Sequence, residues 1–232
     1  MPFSVYFEVE TMKKTLKISA LLLIFVLGIS LVFSSCDKIF PTGGDEYSTE
    51  ELTAPDYSAL NLREYVKLGD YKGIRIALGN APEDMTASVA LWSSIVSKAE
   101  VIKYPEGALS YYEEQSTRLY MSYAEKGNMS YDELMSSLGK TSEDIENEAK
   151  EYVKSDLVRL AIIEAEGIHL TDDEKARLFD KYVEKFVSTY GYTEEYARKN
   201  LESEIYDTMQ YDKMMEFLLL NNEVIENYVE EE

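Results

Sequence analysis

TSEDIENEAKEYVKSDLVRLAIIEAEGIHLTDDE, residues 141 to 174, contains a long helix, its stop and the start of the next helix. Thr141 and Asp144 have the spacing of a capping box, in which the hydroxyl accepts from the N3 amide and the carboxylate reaches back to the cap's own N–H. Ile145, Ala149, Tyr152, Val153, Leu157, Leu160 and Ala161 then recur at three- and four-residue steps, which places them on one face of a 3.6-residue period. Glu and Lys fill the other face. Gly167 can adopt the left-handed conformation that closes a helix, and Thr171 with Glu174 repeats the capping box at once. Two helices joined by a tight turn are expected here.

The same signals recur on both sides. Ser130 with Glu133 opens a short helix that Gly139 ends. Pro105 suits a first helical turn, and the segment onward to Lys126 carries Leu109, Tyr112, Leu119, Tyr120 and Tyr123 before a stop at Gly127; Gly107 is the weak point near its start. Val89, Leu91, Trp92, Ile95 and Val96 predict a helix over Thr86 to Ala99, with Trp92 as its packing anchor. Beyond the central stretch, Ala176, Phe179, Val183, Phe186 and Val187 share one face as far as Tyr190, where Gly191 stops the helix. Thr193 caps a last helical region to about Asn221, broken near Asn200, with Ile205, Met209, Met214, Phe217 and Leu218 on its apolar side. Glu223 to Glu232 reads as an acidic tail or a frayed continuation. Tyr65 to Leu78 is the one stretch of strand character, and it is too little for a sheet. No Gly-Lys-Ser/Thr follows its glycines, so it is not a phosphate loop. The predicted fold class is all-α, a domain of helix hairpins over residues 87–222 behind a short extended segment over 56–86, with helices packed ridges into grooves.

With 45% hydrophobic and 29% charged residues among 232, the composition is that of a folded chain. A formal charge of −21 argues against nucleic-acid partners, which draw on clustered Lys and Arg. One Cys and one His cannot build a Cys/His metal site, a disulfide or a Cys-His nucleophile pair, so no metal and no cofactor are expected. No Gly-x-Ser-x-Gly elbow occurs, and no catalytic residue is assigned. The many carboxylates read as solvated helix faces, and His169 as a turn or capping residue.

Residues 1 to 11 fit nothing downstream, whereas Met12 opens MKKTLK and the apolar run Ile18 to Phe33. A basic start, an apolar stretch of 16 residues and the small exit Ser34-Ser35 are the layout of a secretory signal, and the run is short of the roughly 20 residues that a span needs. The expected start is Met12 and the expected signal ends at Cys36. FSSC resembles the lipobox of bacterial lipoprotein signal peptides, whose Cys becomes the lipidated first residue; Phe33 stands where Leu is usual. The alternative is an uncleaved signal anchor. Residues 37–55, with paired Gly and two Pro, read as a flexible tether that holds an acidic body off the bilayer.

VIKYPEGALSYYEEQ (Val101 to Gln115), the Gly139-Lys140-Thr141 turn, AIIEAEGIHLTDDE (Ala161 to Glu174) and YDKMMEFLLLNNEV (Tyr211 to Val224) together resemble the C-terminal, SurA-like chaperone domain of the trigger factor family. YVKLGDYKGIRI (Tyr65 to Ile76) is similar to the family's passage from its ribosome-binding domain into its FKBP-type isomerase domain. Only eight residues separate Leu78 from Ala87, where the family carries the isomerase, and the ribosome-binding Gly-Phe-Arg-x-Gly-Lys loop is missing. The resemblance therefore implies the family's chaperone part alone, and the signal segment with the lipobox-like FSSC makes the expected protein an extracytoplasmic, membrane-anchored lipoprotein of a bacterial cell envelope. Its implied function is that of an ATP-independent holdase for unfolded or newly exported polypeptides, without ribosome binding. A structural or adaptor lipoprotein with one fixed partner is the alternative, and a peptidyl-prolyl isomerase the third reading. The excess of 19 Tyr and 9 Met suits variable apolar clients. Tyr111, Tyr112, Met121, Tyr182, Tyr190, Tyr196, Met209 and Met215 lie in segments that, by the resemblance, form arms around a cradle, and they are the candidate client-binding residues.

Overall fold

The computed structural model of the chain describes residues 52–78 and 85–225. In chain order a 3-10 turn (Leu62–Glu64) leads to β1 (Val66–Lys67), β2 (Arg75–Ala77), α1 (Ala87–Lys98), β3 (Glu100–Val101), α2 (Ala108–Lys126), α3 (Tyr131–Leu138), α4 (Ser142–Glu166), α5 (Asp172–Tyr190), α6 (Glu194–Asn200), α7 (Glu202–Leu220) and β4 (Glu223–Ile225). The protein is all-α: helices make up most of the described chain, and its strands are two or three residues long.

The caps form as their spacing requires. The Asp144 amide donates to Thr141 Oγ1 at 3.3 Å, and the Thr141 amide donates to Asp144 Oδ2 at 2.7 Å. Ser130 with Glu133 and Thr171 with Glu174 reciprocate in the same way, which starts α3 and α5. Glu174 also takes Lys213 Nζ of α7 at 2.7 Å. That ammonium and the cap hydrogen bonds of Thr171 hold the Glu174 carboxyl down to about 2. Gly167 sits at φ +60°, so the chain reverses from α4 into α5 through a conformation that other residues rarely adopt. Gly107, at φ +74°, explains why α2 opens at Ala108 and not at Pro105: a left-handed residue cannot lie inside a right-handed helix.

Helix α4 is the spine, with its most extensive contact against α2. Ala149, Val153, Leu157, Val158 and Ile162 are fully buried, and they meet Leu91, Trp92 and Ile95 of α1, Tyr111 and Tyr112 of α2 and Met214 and Leu218 of α7 in the central core. Trp92 is the anchor expected of it: its Nε1–H donates to Ser155 Oγ at 3.2 Å and its ring meets Tyr211 edge-on. Two smaller cores lie apart from this body. One joins Tyr120, Met135 and Ile145 where α2, α3 and α4 meet; the other joins Val183, Phe186, Ala197, Leu201, Ile205 and Met209 between α5, α6 and α7.

Four readings of the sequence need correction. First, α4 buries more than one face. Leu160 and Ala161 are only half-buried, while Ile162, Ile163, Ser155 and Asp156 are buried, because neighbours pack on several sides of the spine. Second, the expected acidic tail begins as a strand: Glu223, Val224 and Ile225 pair in parallel with Arg75, Ile76 and Ala77. Asn222 sets the register, since its side chain accepts from the Ile74 amide at 2.7 Å and donates to Tyr71 O at 3.0 Å. Third, strand is not confined to Tyr65–Leu78: β1 pairs with β3, Val66 opposite Val101, and β2 with β4, so two two-stranded sheets form through contacts that local periodicity does not announce. Fourth, the end of the region read as tether up to residue 55 is packed rather than free, because the half-buried Leu52 and Ala54 lie against the central cluster beside Tyr57 and Leu60. The signal segment, Cys36 and residues 37–51 lie outside the described residues. Among the described residues no helix is long and apolar enough to cross a membrane.

Candidate functional site

A cleft of about 550 Å³ opens between α2, α4, α7 and the segment 54–62. Asp156, Arg159, Leu160 and Ile163 reach it from α4, and their three-, four- and seven-residue spacing puts them on one helix face. Asp207 and Gln210 enter from α7 by the same rule. Tyr111 and Tyr112 come from α2, Tyr57 and Leu60 from the N-terminal segment, and His169 from the turn after α4.

Asp156 is the deepest polar group, at 3% exposure. Its Oδ2 accepts a short hydrogen bond from Tyr112 Oη, whereas its Oδ1 accepts none. The nearest cation is Arg159, with Nη2 3.7 Å from Oδ1. Arg159 Nε and Tyr57 Oη are also buried without a hydrogen-bond partner, while Gln210 Nε2 donates to Ile168 O at 2.9 Å. Burial pushes the Asp156 carboxyl up and the Asp207 charge adds to this, against Arg159 and the Tyr112 hydrogen bond. Asp207 is likewise raised by burial, with Arg159 opposing. Burial and the Asp156 charge raise the Tyr57 and Tyr112 phenols. Two carboxyls thus share one guanidinium.

This arrangement predicts that Asp156→Asn stabilises the fold at neutral pH by about 1 kcal/mol, because the amide still accepts from Tyr112 while the buried charge is gone and Arg159 keeps Asp207. A carboxyl raised in the folded state contributes stability below its unfolded value, near 3.8, and loses it as pH rises through the folded value. The gain from the Asn substitution is therefore present at pH 7 and vanishes toward pH 4. Thermal melts of both proteins across that range check it; a variant less stable at pH 7 contradicts the placement of Asp156.

The candidate client-binding residues divide. Tyr111, Tyr112, Met209 and Met215 are core residues, 2–6% exposed: Tyr111, Tyr112 and Met215 lie in the central core around α4, and Met209 in the smaller core between α5, α6 and α7. Met121 is half-buried. Tyr182 is half-buried and donates its hydroxyl to Asp212 Oδ2 at 2.8 Å. Tyr190 and Tyr196 come together through Tyr192, which the sequence reading missed because it lies in the turn between α5 and α6, where no helical period marks it. The rings run Phe186, Tyr190, Tyr192, Tyr196 with centroids 5.3, 6.2 and 5.4 Å apart, and Tyr190 is 41% exposed.

The sequence reading also missed Asp156, Arg159 and Asp207, having taken the acids for solvated faces. A signal for Asp156 was available, since it stands four residues from both Tyr152 and Leu160 on the apolar face of α4. Asp207, between Ile205 and Met209, is less distinctive. Among the described residues no group of three His, Cys, Asp or Glu side chains could hold a metal ion.

The fold and this site define an all-helical protein with a polar cleft roofed by its own N-terminal segment and an aromatic ladder at the α5–α6 turn. No family model, curated protein or solved structure matches the chain.

Proposed function

We propose that the chain is an ATP-independent holdase for unfolded or newly exported polypeptides, tethered through a lipidated Cys36 at the extracytoplasmic face of a bacterial membrane. The observation that carries this reading is the ladder from Phe186 to Tyr196, a row of rings on a lobe whose small core is separate from the central body. Tyrosine offers an apolar face and a wettable edge, so partial contacts with many sequences are favourable and none excludes water completely. Each apolar side chain gives about 1.5–3 kcal/mol when fully buried, and shifting, partial burial gives less, which suits broad choice at low affinity. The resemblance to the trigger factor C-terminal domain points the same way. The strongly acidic composition keeps loaded chaperones apart by like-charge repulsion and disfavours nucleic acid.

The test is suppression of aggregation. Near-stoichiometric chain protects several unrelated denatured proteins without nucleotide, and the double substitution Tyr190→Ala with Tyr192→Ala raises the amount needed about tenfold, the effect of losing two ring contacts of roughly 0.5–1.5 kcal/mol each. Failure to protect any client overturns the reading.

A second reading, an adaptor with one fixed partner, is favoured by the cleft, whose unpaired polar atoms select a single chemistry better than a variable one. Recovery of one tight partner in a pull-down, with no protection of denatured clients, decides for it. An isomerase, by contrast, accelerates a proline-limited refolding step.

A further inference from the structure

A cavity with room for several heavy atoms contains a carboxylate oxygen that accepts no hydrogen bond, Asp156 Oδ1, and a phenol that has no partner, Tyr57 Oη. A buried polar atom left in this state is costly, so such atoms in native proteins are met by water or by a ligand. The charge balance of the lining says which kind of ligand. Asp156 and Asp207 face a single guanidinium, Arg159, and Glu164 and His169 complete the acidic and basic lining, three carboxyls against one guanidinium and one imidazole. An entering anion would meet more carboxylates than cations, whereas an entering cation would restore the balance. A metal ion fits poorly, because the described residues offer no set of three ligating side chains. The apolar share of the wall, Leu60, Leu160 and Ile163, suits a short methylene stem of the sort that carries an ammonium or guanidinium.

We propose that this cleft binds an organic cation, an ammonium or guanidinium on an aliphatic stem, with the charged head between Asp156 and Asp207 and Tyr57 closing over it. The head donates to the free Asp156 oxygen, and Tyr57 Oη accepts from the same head. The Asp156 and Asp207 carboxyls, raised by burial, fit this, since the one guanidinium between them, Arg159, leaves the two carboxylates short of one positive charge, which the ligand brings. The cation can come from a basic side chain of a bound polypeptide or from a free amine. The proposal stands apart from the holdase reading, which rests on the aromatic ladder.

Calorimetric titration of the full-length chain tests it, with the fluorescence of the chain's one tryptophan as a second readout; Trp92 is bonded to Ser155, next to Asp156. The probes are n-butylammonium, its neutral counterpart 1-butanol, and a capped nonapeptide with a central lysine beside its norleucine twin. The expected result is saturable binding of n-butylammonium and none of 1-butanol. Asp207→Asn, at a half-buried position where the isosteric amide leaves the helical spectrum unchanged, weakens binding about tenfold or more, the loss that removal of a charge-assisted hydrogen bond brings. Arg159→Gln removes the resident cation and tightens it. A lysine peptide that binds more tightly than n-butylammonium, and more tightly than its norleucine twin, supports the proposal and identifies a polypeptide side chain as the source; equal affinity of peptide and n-butylammonium supports it with a free amine. No saturable binding of either cationic probe, an equal response to 1-butanol, or an Asp207→Asn variant that binds like the parent chain overturns it.

Discussion

Truncating Leu157 to Ala lowers the unfolding free energy by about 2–5 kcal/mol, a large part of the roughly 5–15 kcal/mol that holds an ordinary domain. Leu157 lies at the middle of α4 with no exposed surface, in the same core as Leu91, Val153 and Leu218, which are equally inaccessible. Removing its branched end takes away transfer free energy and leaves a cavity that three surrounding helices cannot all close at once. Urea titration followed by Trp92 fluorescence and far-UV circular dichroism gives the midpoint, with an unchanged slope marking a pure stability effect. Leu220, at 80% exposure on the last turn of α7, is the control, and its replacement by Ala shifts stability by no more than about 0.5 kcal/mol. A Leu157 variant as stable as this control contradicts the placement of α4 as the spine.

Cys36→Ala moves the protein from the membrane fraction to the soluble one if lipidation is its anchor. Each buried methylene contributes about 0.8 kcal/mol to membrane binding, so two acyl chains hold the protein almost completely and their loss releases it almost completely. Once the signal segment is removed, surface charge does not replace them, since a chain with 44 acidic and 23 basic residues gains nothing from an anionic surface. Fractionation and lipid labelling of both forms measure the shift. A Cys36→Ala protein that stays in the membrane with unchanged processing sinks lipidation and selects the uncleaved signal anchor.

The helical frame was legible because its punctuation is local. A Thr or Ser with an acid three residues on starts α3, α4 and α5, and Gly139, Gly167 and Gly191 end them in left-handed turns. Such signals need only neighbours along the chain, and so they hold whatever the helices pack against. Trp92 as an anchor was legible for a related reason: a large ring amid an apolar period has nowhere better to go.

The candidate site was far less legible. Half of the candidate tyrosines and methionines are core residues, because an aromatic or thioether side chain at helical spacing serves a core and a surface equally well, and only the packing of the central core around α4 and of the smaller core between α5, α6 and α7 decides between them. The same holds for the acids. Asp156 looks like any other carboxylate of an acidic chain until Tyr112 is brought to it from 44 residues away and the N-terminal segment covers it.

The amino-acid sequence by itself determined the all-helical class, the helix boundaries near their caps and stops, and the burial of Trp92, Val153 and Leu157, since these follow from hydrogen-bond closure and hydrophobic period within one segment. Only the tertiary structure decided that Glu223–Ile225 is a strand, that Leu52 and Ala54 pack against the core, that Tyr190, Tyr192 and Tyr196 form one ladder, and that Asp156, Arg159 and Asp207 share a cleft. Each of these depends on partners far apart along the chain, and a pairing across that distance leaves no periodic trace in either segment.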